Sequence, residues 1–148
     1  MKHYKARLAK KSDLVGWLDY KGKSTQGDQA IELFMDALQH PSGKTIVLDS
    51  GKAESFFEIS RHAFVSNGWY IYELAVSPRN LYKNVKGWGK QTMYEACKYV
   101  LSQGGTSLDL APTYNSDEFY AKIGMVLHSN NIRSFDRNGM LDFISRME

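Results

Sequence analysis

The chain has 148 residues, 43% of them apolar, which gives material for a sizeable core and excludes a disordered polymer. A single cysteine excludes an internal disulfide framework, and 19 basic against 16 acidic side chains leave a mild net charge of +3. No stretch approaches the roughly 20 apolar residues of a membrane span, and no signal-like apolar run follows Met1-Lys2-His3-Tyr4-Lys5, so a cytoplasmic protein with no membrane partner is expected.

No repeat, low-complexity tract or linker divides residues 1–148, so one domain is the expectation. Residues 3–9 read as a strand. Ser12-Asp13 then reads as a cap, with Leu14, Trp17 and Leu18 on one helical face. Gly22 to Gly27 reads as a polar loop. Ile31, Phe34, Met35 and Leu38 repeat at helical spacing until His40-Pro41-Ser42-Gly43. Three strand-like runs follow: Thr45 to Leu48, Phe56 to Val65, and Trp69 to Val76. Turns at Asp49-Ser50-Gly51-Lys52 and Asn67-Gly68 make them an antiparallel meander.

Ser77-Pro78 ends the third run, and a polar loop leads to Gly87-Trp88-Gly89. From Gly89 the pattern is helical, with Met93, Ala96, Cys97, Val100 and Leu101 on one face and Gly104-Gly105 as terminator. Thr106 to Ala111 reads as a short strand with Leu108 and Leu110 on one face. Asn115-Ser116-Asp117-Glu118 reads as the start of a helix that carries Phe119, Tyr120 and Ile123 and ends at Gly124. The tail reads as two strands joined by Asn138-Gly139. The order β-α-α-β-β-β-α-β-α-β-β predicts an α+β fold: a mixed, mostly antiparallel sheet flanked by helices.

Lys2, Lys5, Arg7, Lys10 and Lys11 cluster near the start, and Lys83, Lys86 and Lys90 surround the glycine turn. The second group matters more, because cations converging on a loop attract polyanions. A strand, a glycine loop and a helix N-terminus together aim unpaired N–H groups and the positive end of the helix dipole at one spot, which suits a phosphate. Glycine lets phosphate oxygens approach the backbone, where a Cβ would obstruct them. A tight turn alone is the other reading of Gly87 and Gly89. The segment is not a Walker loop and lacks the third glycine of a dinucleotide fingerprint.

Glu73-Leu74-Ala75-Val76-Ser77-Pro78, then Gly87-Trp88-Gly89 opening a helix, then Phe119-Tyr120-Ala121-Lys122-Ile123-Gly124-Met125 resembles the GNAT N-acetyltransferase superfamily. The resemblance is strongest over residues 69–125. It implies an acetyl-coenzyme A cleft between two splayed strands, the one ending at Val76 and the one at 106–111. It further implies that the backbone of Leu74, Ala75 and Val76 lines the pantetheine arm. The pyrophosphate would lie on the loop formed by Asn84, Val85, Lys86, Gly87, Trp88, Gly89 and Lys90. Asn84 stands where the family usually has arginine or glutamine, and the loop from Pro78 is about three residues longer than the family's. Arg79 and Lys83 are candidates for the missing long polar side chain.

Acetyl transfer to an amine needs a neutral nitrogen, a polarised thioester and a proton for the leaving thiolate. Tyr120 falls where the family places its general acid; packing beside Phe119 is its alternative. Glu73 is the candidate base, with a salt bridge as its alternative, and a bulge near the strand end would change the face it occupies. Asn115 caps its helix or orients a water near the thioester, and Lys122 is carried along with Tyr120 by the family match. Trp17, Tyr20 and Trp69 are candidates for the acceptor site or for the core. Cys97 reads as core, and His62 and His128 have no metal-ligand spacing, so no metal is expected. The leading reading is an N-acetyltransferase acting on a small-molecule or protein amine. The alternative is a non-catalytic coenzyme A-binding or nucleic-acid-binding module on the same fold. Neither the acceptor nor the oligomeric state, a homodimer included, is legible.

Overall fold

The computed structural model describes residues 3–148; Met1 and Lys2, the latter counted in the N-terminal cationic cluster, lie outside the described residues. In chain order the elements are β1 (Lys5–Leu8), α1 (Asp13–Leu18), α2 (Thr25–Gln39), β2 (Lys44–Asp49), β3 (Ala53–Arg61), β4 (Gly68–Val76) and α3 (Pro78–Tyr82). Then come α4 (Trp88–Ser102), β5 (Ser107–Leu110), α5 (Asp117–Lys122), β6 (Val126–Leu127), a 3-10 turn at Ser129–Asn131, β7 (Arg133–Asp136) and α6 (Arg137–Met147). The strands form one sheet in the order β1-β2-β3-β4-β5-β7-β6. The pairs β1–β2, β5–β7 and β6–β7 are antiparallel, while β4–β5 is parallel. This is the mixed α+β architecture expected from the element order.

Contacts group the chain into two units, Met1–Glu58 with Glu73–Thr92, and Ile59–Tyr72 with Met93–Glu148. In the first, α2 buries Ala30, Ile31, Phe34 and Ala37 against Trp17, Val47, Phe56 and Ala75. Phe34 and Phe56 stack with ring centroids 4.7 Å apart, and Trp17 donates its indole N–H to the Ala53 carbonyl at 2.9 Å. In the second, α4 buries Met93, Ala96, Cys97 and Val100, and β5 buries Leu108 and Leu110. Phe135 of β7 stacks on Phe143 of α6 at 5.7 Å.

Several local expectations change. The stretch from Gly22 to Gly27 is not all loop: Ser24 caps α2 by accepting the Gly27 N–H at 2.9 Å, so the helix begins at Thr25. Ser12 makes no cap bond; the Asp13 carboxylate instead accepts the Lys10 N–H and the Arg7 guanidinium. Arg7 also binds Asp49 at 2.8 Å, so this member of the N-terminal cluster is not a free cation. Residues after Ser77 form α3, and the extra length noted between Pro78 and Gly87 is occupied by that helix. The largest difference is in the tail. Asn138-Gly139 is no hairpin turn but the first turn of α6, because Asp136 accepts the Gly139 N–H at 2.7 Å and caps the helix. The expected last strand is therefore a helix.

Bonds at the two ends of the β3–β4 hairpin differ in register. His62 N–H meets the Gly68 carbonyl and Ser77 N–H meets the Glu54 carbonyl, so eight steps along β3 face nine along β4. The longer strand accommodates one extra residue, the mark of a bulge.

Candidate functional site

β4 pairs with β5 from Gly68↔Ser107 to Ile71↔Leu110, and β5 ends there. β4 continues to Val76. The main chain of Glu73, Leu74, Ala75 and Val76 thus runs past the last pair, with donors and acceptors available to an extended ligand on that edge. Ala75 is buried, while Leu74 and Val76 are half-buried.

The segment leaving β4 is anchored by one buried side chain. Asn80 is 1% exposed and donates from Nδ2 to Glu54 Oε1 at 3.0 Å and to the Glu54 carbonyl at 3.3 Å. Its N–H reaches Ser77 Oγ at 3.2 Å, and its carbonyl accepts the Val85 N–H at 2.9 Å. The turn into α4 uses two left-handed residues, Asn84 at φ 56° and Gly87 at φ 101°. The first α4 bond runs from Gln91 N–H to the Gly87 carbonyl, leaving the Trp88, Gly89 and Lys90 N–H groups ahead of it without a helical acceptor. Trp88 is 2% exposed, so its ring serves the core and packs edge-on to Tyr4 at 5.8 Å. The Thr92 hydroxyl donates to the Trp88 carbonyl at 2.6 Å and accepts from Ser55 Oγ, which holds this end of α4 down. Lys83, Asn84, Val85, Lys86, Gly87 and Lys90 are exposed, and none of the three lysines is in an ion pair among the described residues. Three exposed lysines thus lie in the same short segment as free N–H groups, a combination that can stabilise a phosphate by charge and by hydrogen bonding.

Among the described residues Glu73 makes no salt bridge. Its charged neighbours are carboxylates, Asp36 on α2 and Glu58 on β3, and its Oε2 is buried with no hydrogen-bond donor. Burial, with Asp36 and Glu58 adding like charge, pushes its carboxyl up to about 8. Glu58 is 1% exposed and accepts the Ser42 and Gly43 N–H groups on Oε2 at 2.5 and 3.2 Å. A carboxyl titrating near neutral pH can take a proton from an ammonium ion or a water, which an ordinary surface glutamate does poorly.

In the second unit, Tyr120 is 5% exposed and packs edge-on to Phe119 at 5.1 Å. Burial raises its phenol above the usual value, so it stays protonated throughout the physiological range. Asn115 is exposed and is not the cap of α5; that position belongs to Ser116, which makes no side-chain cap bond. Lys122 is exposed and paired with Glu118 at 3.1 Å. Cys97 is fully buried, its thiol pushed up to about 12 by burial, and Trp17 and Trp69 are core. Tyr20 is half-buried against Tyr82. A cavity of about 660 Å³ lined by Asp109, His128, Ser134 and Asp136 contains none of the residues expected at the site.

Asp36, Glu58, Asn80 and Glu54 were not singled out from the sequence. Nothing in their flanking residues marks them, and only the fold brings each to its partner. Among the described residues no helix is long and apolar enough to cross a membrane.

No known family profile and no curated protein sequence matches the chain. Solved structures do. The spermidine/spermine N-acetyltransferase SpeG from Vibrio cholerae, in mutant forms, aligns over 99% of this chain and 100% of its own at 14% identity and TM-score 0.61. A GNAT family acetyltransferase from Brucella melitensis in complex with acetyl-CoA aligns over 92% and 89% at 13% identity and TM-score 0.58. A mutant of the toxin AtaT, bound to the C-terminus of the antitoxin AtaR and acetyl-CoA, aligns over 97% and 99% at 12% identity and TM-score 0.68. The chain therefore has the fold of the GNAT acetyltransferases.

Proposed function

We propose that this chain is an acetyl-coenzyme A-dependent N-acetyltransferase that moves an acetyl group to a primary amine by direct attack in a ternary complex. The observation that carries the reading is the α4 N-terminus. There, a turn with left-handed Asn84 and Gly87 leads into free N–H groups in a segment carrying three unpaired lysines, on a fold whose neighbours include acetyl-CoA complexes.

In this reading the Gly87, Trp88, Gly89 and Lys90 N–H groups hold the pyrophosphate, with Lys83 and Lys86 adding charge. The Leu74, Ala75 and Val76 main chain pairs with the pantetheine arm as an added strand. When bound, acetyl-coenzyme A supplies the acetyl thioester. Glu73 takes the proton from the attacking amine, directly or through water. Tyr120, protonated because it is buried, is the proposed donor to the departing sulfur. Asn115 and Lys122 are assigned to the cofactor by sequence position; the Lys122–Glu118 pair must open for Lys122 to contribute charge.

A thermal-shift titration tests the cofactor assignment. At a hundredfold excess over Kd, acetyl-coenzyme A should stabilise the fold by about 3 kcal/mol. Incubation with a panel of small and peptide amines, read as free thiol, tests the reaction. A flat melting curve at saturating ligand would sink the cofactor site. Binding without thiol release on any acceptor would leave the non-catalytic coenzyme A-binding reading in its place.

A further inference from the structure

We propose that Glu58 is a positioning residue for Glu73: anchored as an anion by backbone N–H groups, it holds the Glu73 carboxyl by sharing that group's proton. This rests on the reading of Glu73 as the base.

Glu58 lies on β3, the sheet neighbour of β4, and is 1% exposed. A carboxylate so deeply buried is tolerated only with donors. Two are supplied by the turn after α2, the Ser42 and Gly43 N–H groups, both directed at Oε2. Burial raises the Glu58 carboxyl overall, and the two N–H bonds, with the bond from Glu73, act against that rise in favour of the ionised form.

Glu73 has the opposite surroundings. Its Oε2 is buried and no donor reaches it; its polar neighbours are Glu58 and, on α2, Asp36. Ionised carboxylates only accept hydrogen bonds. Three carboxyls meeting without a cation are stable only if at least one keeps a proton, and the group without donors is the one that keeps it. The Glu73 O–H then donates to Glu58, which fixes the Glu73 rotamer through a residue itself fixed by main chain. Asp36, exposed on α2, also reaches Glu73 and raises its carboxyl by hydrogen bonding and like charge ahead of Glu58, but it has no main-chain anchor of the kind that fixes Glu58. The proton belongs to the pair, and its loss is a property of both groups.

The test is ¹³C NMR titration of the Glu73 carboxyl in the full chain, assigned by its disappearance in Glu73→Gln. It is run on wild type, Glu58→Gln and Asp36→Asn. Glutamine keeps an oxygen for the Ser42 and Gly43 N–H groups, removes the charge and offers an amide donor to Glu73. The Glu73 midpoint in Glu58→Gln should fall by about one unit or more. Asp36→Asn, at an exposed position that spares the fold, should move it the same way. The acid limb of kcat/KM should shift down with it, which a purely structural role for Glu58 would not produce. An unmoved Glu73 midpoint in folded Glu58→Gln overturns the proposal, as does a wild-type midpoint in the ordinary carboxylate range. A shifted midpoint in a protein that releases no thiol with any amine instead overturns the transferase reading and leaves the shared proton standing.

Discussion

Asn80 donates from one side-chain nitrogen to both the carboxylate and the carbonyl of Glu54, at 3.0 and 3.3 Å, with both residues almost fully buried. Glu54 Oε2 accepts in turn from Ser50 Oγ at 2.6 Å, so the β2–β3 turn and the segment before α4 are tied to one carboxylate. The Asn80 carbonyl also fixes the Val85 N–H. Asn80→Ala should therefore destabilise the protein by about 1–3 kcal/mol, since a buried acceptor loses its donor. It should also weaken acetyl-coenzyme A binding, because the turn presenting the N–H groups loosens. Denaturant melts and calorimetric titration check the two effects separately.

The Gly87 backbone sits at φ 101°, where L side chains are strained. Gly87→Ala should cost roughly 1–3 kcal/mol if the turn is kept. If the turn relaxes instead, the N–H groups lose their common aim. Either way, the Kd for acetyl-coenzyme A should rise about tenfold or more, at about 1.4 kcal/mol per decade. An unchanged Kd would remove the turn from the binding site.

Glu73→Gln should lower kcat by about 10²- to 10⁴-fold if Glu73 is the base. Wild-type activity should rise as pH approaches and passes about 8, the point at which the carboxyl gives up its proton. Stability should run the other way. The folded carboxyl holds its proton up to about 8, whereas the unfolded chain loses it near 4.5, the ordinary glutamate value, so the native state binds more protons between these limits. Its contribution to stability is complete below the unfolded value and is lost as pH climbs through the folded one. Glu73→Gln should flatten that decline, measured as Tm against pH from 4 to 9, and a wild-type curve without the decline would contradict the buried carboxyl.

Tyr120→Phe keeps the ring in its buried place beside Phe119 and deletes the proton. If the phenol is the acid, kcat should fall by about 10²-fold or more while the Kd for acetyl-coenzyme A stays put. A Tm change with unaltered kcat would make it a core residue.

Asp136→Ala removes the oxygen that receives the Gly139 N–H at 2.7 Å, and should cost about 1 kcal/mol by fraying α6. Far-UV circular dichroism and a denaturant melt read this loss directly.

Much of the fold is written locally. The apolar faces of α2 and α4, the aromatic and β-branched run of β4, and Asn67 in the left-handed conformation before Gly68 are set by periodicity and turn chemistry, so sequence alone located them. The same holds for the glycine turn: the start of α4 directly after it leaves free N–H groups there, although the sequence alone reads the α3 helix before it as loop. Asn138-Gly139 shows where local reading stops, since the same dipeptide turns a hairpin or enters a helix according to whether a cap precedes it. Asp136 decided that, and its effect is visible only once the chain past β7 is placed.

The carboxylates lie beyond local reading altogether. Asp36, Glu58 and Glu73 come from a helix and two strands, and nothing in their flanking residues marks them as partners. Their meeting is decided by how the elements pack, and so is the protonation of Glu73, because desolvation and like charge act through space and not along the chain. The sequence determined where free N–H groups open a helix; only the tertiary structure decided which carboxyl keeps its proton.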